Sequence, residues 1–120
     1  MVNNGRYKVL EMRQICNRQL IVAGIVSGTA LLDTPDAKIM RTFDVNILAH
    51  FWTLKAFLPQ MIERKLGHVV NVASLAGHSG INKLVDYCAS KFAAVGLDEA
   101  LRVELHVQVF IIYKLINNPN

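Results

Sequence analysis

The chain has 120 residues, 52% of them hydrophobic, and a formal net charge of +4. That length allows one domain at most. The basic residues are scattered, with no basic stripe and no interleaved aromatics, which excludes a nucleic-acid partner. Cys16 and Cys88 form no disulfide framework, and His50, His68, His78 and His106 have no metal-ligand spacing, so no metal is expected. No apolar run reaches the ~18 residues that cross a bilayer, and no secretory signal is recognisable.

In chain order, residues 1–18 are polar, with Asn3-Asn4-Gly5 as a turn signal and a weak strand pattern at 7–10. Residues 20–23 read as a buried strand ending at Gly24. The stretch 24–35 reads as a loop in which Thr34 is an expected N-cap and Pro35 the first helical position. Residues 36–64 are helical in pattern, with a junction of two helices expected near Arg41. Ile47, Phe51, Leu54, Leu58 and Ile62 share one face, and Leu48, Trp52 and Ala56 widen it. Pro59 removes a backbone donor and is expected to bend this helix, and Gly67 is expected to stop it. Residues 68–73 read as a second buried parallel strand, which places Ser74 at its C-terminal end. Residues 76–86 read as a loop and 87–107 as the last helix. Ala89, Ala93, Gly96 and Ala100 fall in a stripe of small residues along that helix, which permits close helix contact.

The chemistry is concentrated at Tyr87 and Lys91. They are four apart, and residues at i and i+4 share one helix face. A lysine ammonium beside a phenol favours the phenolate, and a phenol tuned in this way can exchange a proton with an alcohol or carbonyl. By composition, a Tyr-x-x-x-Lys arises by chance about once in six such chains, so the pair alone is weak. Ser74 lies thirteen positions before Tyr87, and Asn46 lies twenty-eight before Ser74. Requiring all four lowers the chance to the order of one in a few thousand. Each residue singly also has a bland reading. Asn46 could bond backbone at a helix kink, Ser74 could cap a strand, Tyr87 could be a buried aromatic, and Lys91 could snorkel from an amphipathic face.

Together with Ala23-Gly24-Ile25-Val26, Phe43-Asp44-Val45-Asn46 and Gly67-His68-Val69-Val70-Asn71-Val72-Ala73-Ser74, the spacing resembles the short-chain dehydrogenase/reductase family. Ala49-His50-Phe51-Trp52-Thr53 and Ala93-Ala94-Val95-Gly96 look most like its retinol and hydroxysteroid dehydrogenase branch. The resemblance runs over 20–108, leaving 1–19 unassigned and 109–120 as a divergent tail. Two features depart from the family pattern. The glycine-rich turn Thr-Gly-x-x-x-Gly-x-Gly, which cradles a cofactor pyrophosphate, has no counterpart. The family's two asparagines before Ala-Gly are replaced by Ile21 and Val22.

The resemblance implies an α/β fold, the central part of a Rossmann-like doubly wound parallel sheet with two long helices. It implies NAD(P)-dependent interconversion of an alcohol and a carbonyl on a lipophilic substrate, retinoid or steroid-like. Tyr87 would be the acid/base. Lys91 would lower its pKa and hold the cofactor ribose. Ser74 would orient the reacting oxygen, and Asn46 would hold a water linking Lys91 to solvent. Ala23, Gly24, Asn46, Tyr87 and Lys91 would line the NAD or NADP site. The two long helices would form a homodimer, or a heterodimer with a longer relative. The implied location is intracellular, cytoplasmic or, as in longer relatives, associated with the endoplasmic reticulum or lipid droplets. The alternative, from the missing glycine turn, is a truncated, catalytically inactive chain that acts as a dimerisation partner.

Overall fold

The structure, a computed structural model, describes residues 18–21, 24–105 and 110–116. It is a three-stranded parallel sheet in the order β1 (Arg18–Ile21), β2 (His68–Ser74), β3 (Phe110–Ile116). Arg18 pairs with His68 at one end of the β1–β2 ladder and Ile21 with Asn71 at the other. β3 pairs with β2 from Phe110 opposite His68 to Ile116 opposite Ser74. Strand β3 therefore occupies the tail in which the residue pattern predicted no element. Parallel neighbours need crossover connections, and helices supply both. α1 (Asp36–Phe43) and α2 (Ala49–Arg64) join β1 to β2, and α3 (Val85–Leu105) joins β2 to β3.

The helix junction lies at a π-turn over Asp44–Leu48 rather than near Arg41. An extra residue in one turn is a local irregularity that a tertiary contact must hold, and Asn46 makes that contact. Thr34 does not cap α1. Its hydroxyl donates back to the carbonyl of Ala30 and pairs with the Thr29 hydroxyl, and Pro35 occupies the cap position. Helix α2 runs on through Pro59 to Arg64, the expected end, and Lys65 rather than Gly67 stops it. Lys65 takes the left-handed conformation (φ 51°), and the amide of Leu66 returns to the carbonyl of Met61. Gly67 serves close packing instead, since a Cβ there would lie 2.7 Å from Met61 Cγ. The expected loop 76–86 is partly ordered. Leu75–Gly77 is a 3₁₀ turn, and α3 starts two residues before Tyr87.

Alternation along β2 turns Val69 and Asn71 to one face, where both are buried. Leu54, Val69, Leu101 and Leu105 form the apolar core, with Leu58, Met61, Ile62 and Leu97 against it. The predicted apolar face of α2 is thus only partly covered, and Phe51 and Trp52 stay 43% and 48% exposed. Among the described residues no helix is long and apolar enough to cross a membrane.

Candidate active site

The C-terminal end of β2 and the first turns of α3 converge beside the loop that follows β1. Open α/β sheets bind ligands at this carboxyl edge of the strands. Ser74 is the last residue of β2, and its Oγ accepts from the amide of Ala76, 3.3 Å away. That acceptor role leaves the Ser74 hydroxyl proton for another partner. Tyr87 is half-buried in the first turn of α3. One turn on, Lys91 is buried, with Nζ 5.7 Å from the centroid of the Tyr87 ring. Burial lowers the pKa of Lys91 below that of a free lysine, because desolvation penalises the ammonium.

Gly24 marks where the backbone after β1 meets this pair. A Cβ on Gly24 would come within 3.3 Å of Lys91 Nζ, so glycine lets the chain pass close to the ammonium. Ala23 lies outside the described residues.

Asn46 is fully buried in the π-turn. Its Oδ1 accepts from the amide of Ile25 (2.8 Å), and its Nδ2 donates to the carbonyl of Ile25 and to Ser90 Oγ (both 2.9 Å). Ser90 Oγ in turn donates to the carbonyl of Tyr87 at 2.7 Å. One side chain thus fastens the loop after β1, the crossover helix and the turn that carries Tyr87.

Sequence reasoning missed a second set of residues. Asp86 accepts from Ser27 Oγ (2.7 Å) and Thr42 Oγ1 (2.9 Å), tying α3 to α1 and to the loop after β1. Burial raises its pKa, but those bonds and the amides of Tyr87 and Asp86 outweigh burial and hold it below the usual value. His50 is fully buried, and burial, with a smaller push from the Lys91 charge, lowers its pKa from 6.5 to about 4. Asn71 donates to Asp98 Oδ1 at 3.4 Å, and Asp98 also accepts from Arg102 at 2.8 Å. The signal for His50 was its place four residues after Asn46, on the same helix face. Nothing in the local pattern marked Asp86, whose partners are 44 and 59 residues distant.

The short chain dehydrogenase family profile matches residues 20–115. The chain belongs to the short-chain dehydrogenase family. It is 57% identical to human epidermal retinol dehydrogenase 2 over 108 residues, which is 87% of this chain and 35% of that protein. It is also 57% identical to human 17-beta-hydroxysteroid dehydrogenase 13 over 83 residues, 69% of this chain and 28% of that one. The chain thus spans about a third of the length of the curated relatives it matches. Among solved structures, a short-chain dehydrogenase/reductase from Burkholderia phymatum in complex with NAD superposes with TM-score 0.80 at 27% identity, over 84% of this chain and 37% of that one. A 4-hydroxyisoleucine dehydrogenase complexed with NADH and succinate gives TM-score 0.74 at 29% identity, over 78% and 44%. The family fold is therefore a Rossmann-like α/β sheet, of which this chain supplies three adjacent strands and their two crossovers.

Proposed function

We propose that this chain carries the reaction centre of an NAD(P)-dependent oxidoreductase that interconverts an alcohol and a carbonyl on a lipophilic substrate of retinoid or steroid type. The observation that carries this reading is the approach of Lys91 to the Tyr87 ring at the carboxyl edge of the parallel strands, with Ser74 ending the central one. The names of the retinol and hydroxysteroid dehydrogenase relatives support the substrate class.

In the reduction direction, Tyr87 gives its hydroxyl proton to the substrate oxygen. In oxidation it takes that proton back. Lys91 Nζ lies 5.7 Å from the centroid of the Tyr87 ring, beside the charge that the first step leaves. Ser74 donates its free hydroxyl proton to the same oxygen and fixes its direction. Asn46 acts by position. Its two amide protons are spent on Ile25 and Ser90, so a water linking Lys91 to solvent would fall to the second lone pair of Oδ1 or to the π-turn backbone. Gly24, Tyr87 and Lys91 are the described residues that would hold the nicotinamide cofactor, which, when bound, supplies hydride transfer.

The test is a fluorescence titration of the chain with NADH and NADPH, followed by turnover assays with retinol and a steroid alcohol. Saturable binding is expected, and Tyr87→Phe is expected to remove any turnover while the variant stays folded by circular dichroism. A Tyr87→Phe variant that kept its rate would overturn the mechanism.

One observation favours a second reading, an inactive dimerisation partner. Phe51, Trp52 and Phe92 are exposed on α2 and α3, and Phe51 lines a groove between these helices together with Ala93, Gly96 and Ala100. Helix faces of this kind bury themselves against another helix pair. Co-purification with a longer relative, with neither cofactor binding nor turnover, would favour that reading over the first.

A further inference from the structure

Among the described residues, the core behind the Tyr87–Lys91 pair holds three buried polar atoms without a hydrogen-bond partner: His50 Nδ1, His50 Nε2 and Asn71 Oδ1. Both side chains are almost wholly removed from solvent, at 0% and 1% exposure. Buried polar atoms left unpaired cost stability, and a group of them calls for an explanation. The two residues come from different elements that pack against each other. Leu54 and Val69 belong to the same packed cluster. His50 is one helical turn before Leu54, about 5.4 Å back. Asn71 is two strand residues beyond Val69, about 6.6 Å on. A crossover helix runs opposite to the parallel strands it joins, so both steps lead toward the carboxyl edge, where Asn46 and Lys91 lie.

The imidazole is neutral in this setting, because burial and the Lys91 charge keep its pKa near 4. It therefore offers one N–H donor and one lone pair, and Asn71 Oδ1 offers a further acceptor. The charge that acts on the imidazole is that of Lys91 on α3, and the carboxylate beside Asn71 is Asp98 on the same helix. Asp98 is engaged by Asn71 Nδ2 and Arg102, whereas the Lys91 charge acts directly on the ring. About three polar partners is the usual complement of a buried water.

We propose that His50 and Asn71 together bind one buried water near Lys91, and that through it His50 is a positioning residue for the lysine ammonium. The proposal rests on the reading of Lys91 as part of the reaction centre. The water holds the ammonium from inside the core, while Gly24 and Tyr87 border it on the side open to substrate.

Two NMR measurements on the 120-residue chain test this without turnover. In the unmodified chain, the His50 ring protons are expected to show cross-relaxation to a long-lived water, and a ring that shows none would overturn the site. The titration of the Lys91 side chain is then compared in wild type, His50→Leu and His50→Gln. Losing one hydrogen-bond acceptor to the ammonium is expected to lower the Lys91 midpoint by about one pH unit in His50→Leu. His50→Gln, which keeps a donor and an acceptor, is expected to restore most of it. Equal midpoints in all three proteins, or equal shifts in both variants, would overturn the positioning role. If these fail while Tyr87→Phe still removes turnover, the water site is wrong and the reaction centre stands. If the water site holds but Tyr87→Phe keeps its rate, the reverse is true.

Discussion

His50 makes this fold sensitive to mild acid, and the size of the effect follows from its burial. In the unfolded chain the imidazole titrates near 6.5, and in the folded chain near 4. Between those values the unfolded state binds a proton that the folded state refuses, so stability falls as the pH is lowered through that window. At about 1.36 kcal/mol per unit, lowering the pH to about 5 costs roughly 2 kcal/mol, and the full window about 3 kcal/mol. For a domain whose total stability is of order 5–15 kcal/mol, that is a large share. The assay is urea denaturation followed by circular dichroism at a series of pH values, on wild type and His50→Leu. Subtracting the two curves removes the contribution of every other group. Asp86 does not confuse the window, because its pKa is lowered from 3.8 and its stabilisation is lost only below that value. If wild type and His50→Leu lose stability in parallel between pH 6.5 and 4, the imidazole is not buried in its neutral form, and the reasoning fails.

Two further substitutions probe how the site is held. Asn46→Ala deletes the bonds to both backbone groups of Ile25 and to Ser90, and at about 0.5–1.5 kcal/mol each it is expected to lower stability by about 2–4 kcal/mol in urea. An Asn46→Ala protein as stable as wild type would show that the π-turn does not depend on this side chain. Gly77→Ala places a Cβ 2.9 Å from Val95 Cγ2 and 3.0 Å from the carbonyl oxygen of Lys91. The backbone oxygen cannot rotate away, so a loss of about 1–3 kcal/mol is expected from overpacking, and a neutral or stabilising result would refute the close approach of the 3₁₀ turn to α3.

The local patterns were sufficient for the first two strands and for the helices, but not for β3. The short apolar run with Val69, Val70 and Val72 in 68–73 specified a buried strand, and the i, i+4 spacing put Tyr87 and Lys91 on one turn of one helix. These are short-range properties, set by backbone period and side-chain type. The four separated site residues could be read from the sequence because their spacing resembles a family pattern, not because periodicity connects Asn46 to Ser74. The tertiary structure decided what those residues touch. Asn46 looked equally suited to holding a water or a helix kink, and its amide protons prove to be committed to Ile25 and Ser90. The junction moved from Arg41 to the π-turn because a contact with a loop 21 residues away holds it there. The bonds of Asp86 to Ser27 and Thr42, and the burial of the His50 and Asn71 polar atoms, were invisible for the same reason. Hydrogen bonding and desolvation act between atoms that folding brings together, and nothing in the local order of residues records which buried polar group will face which.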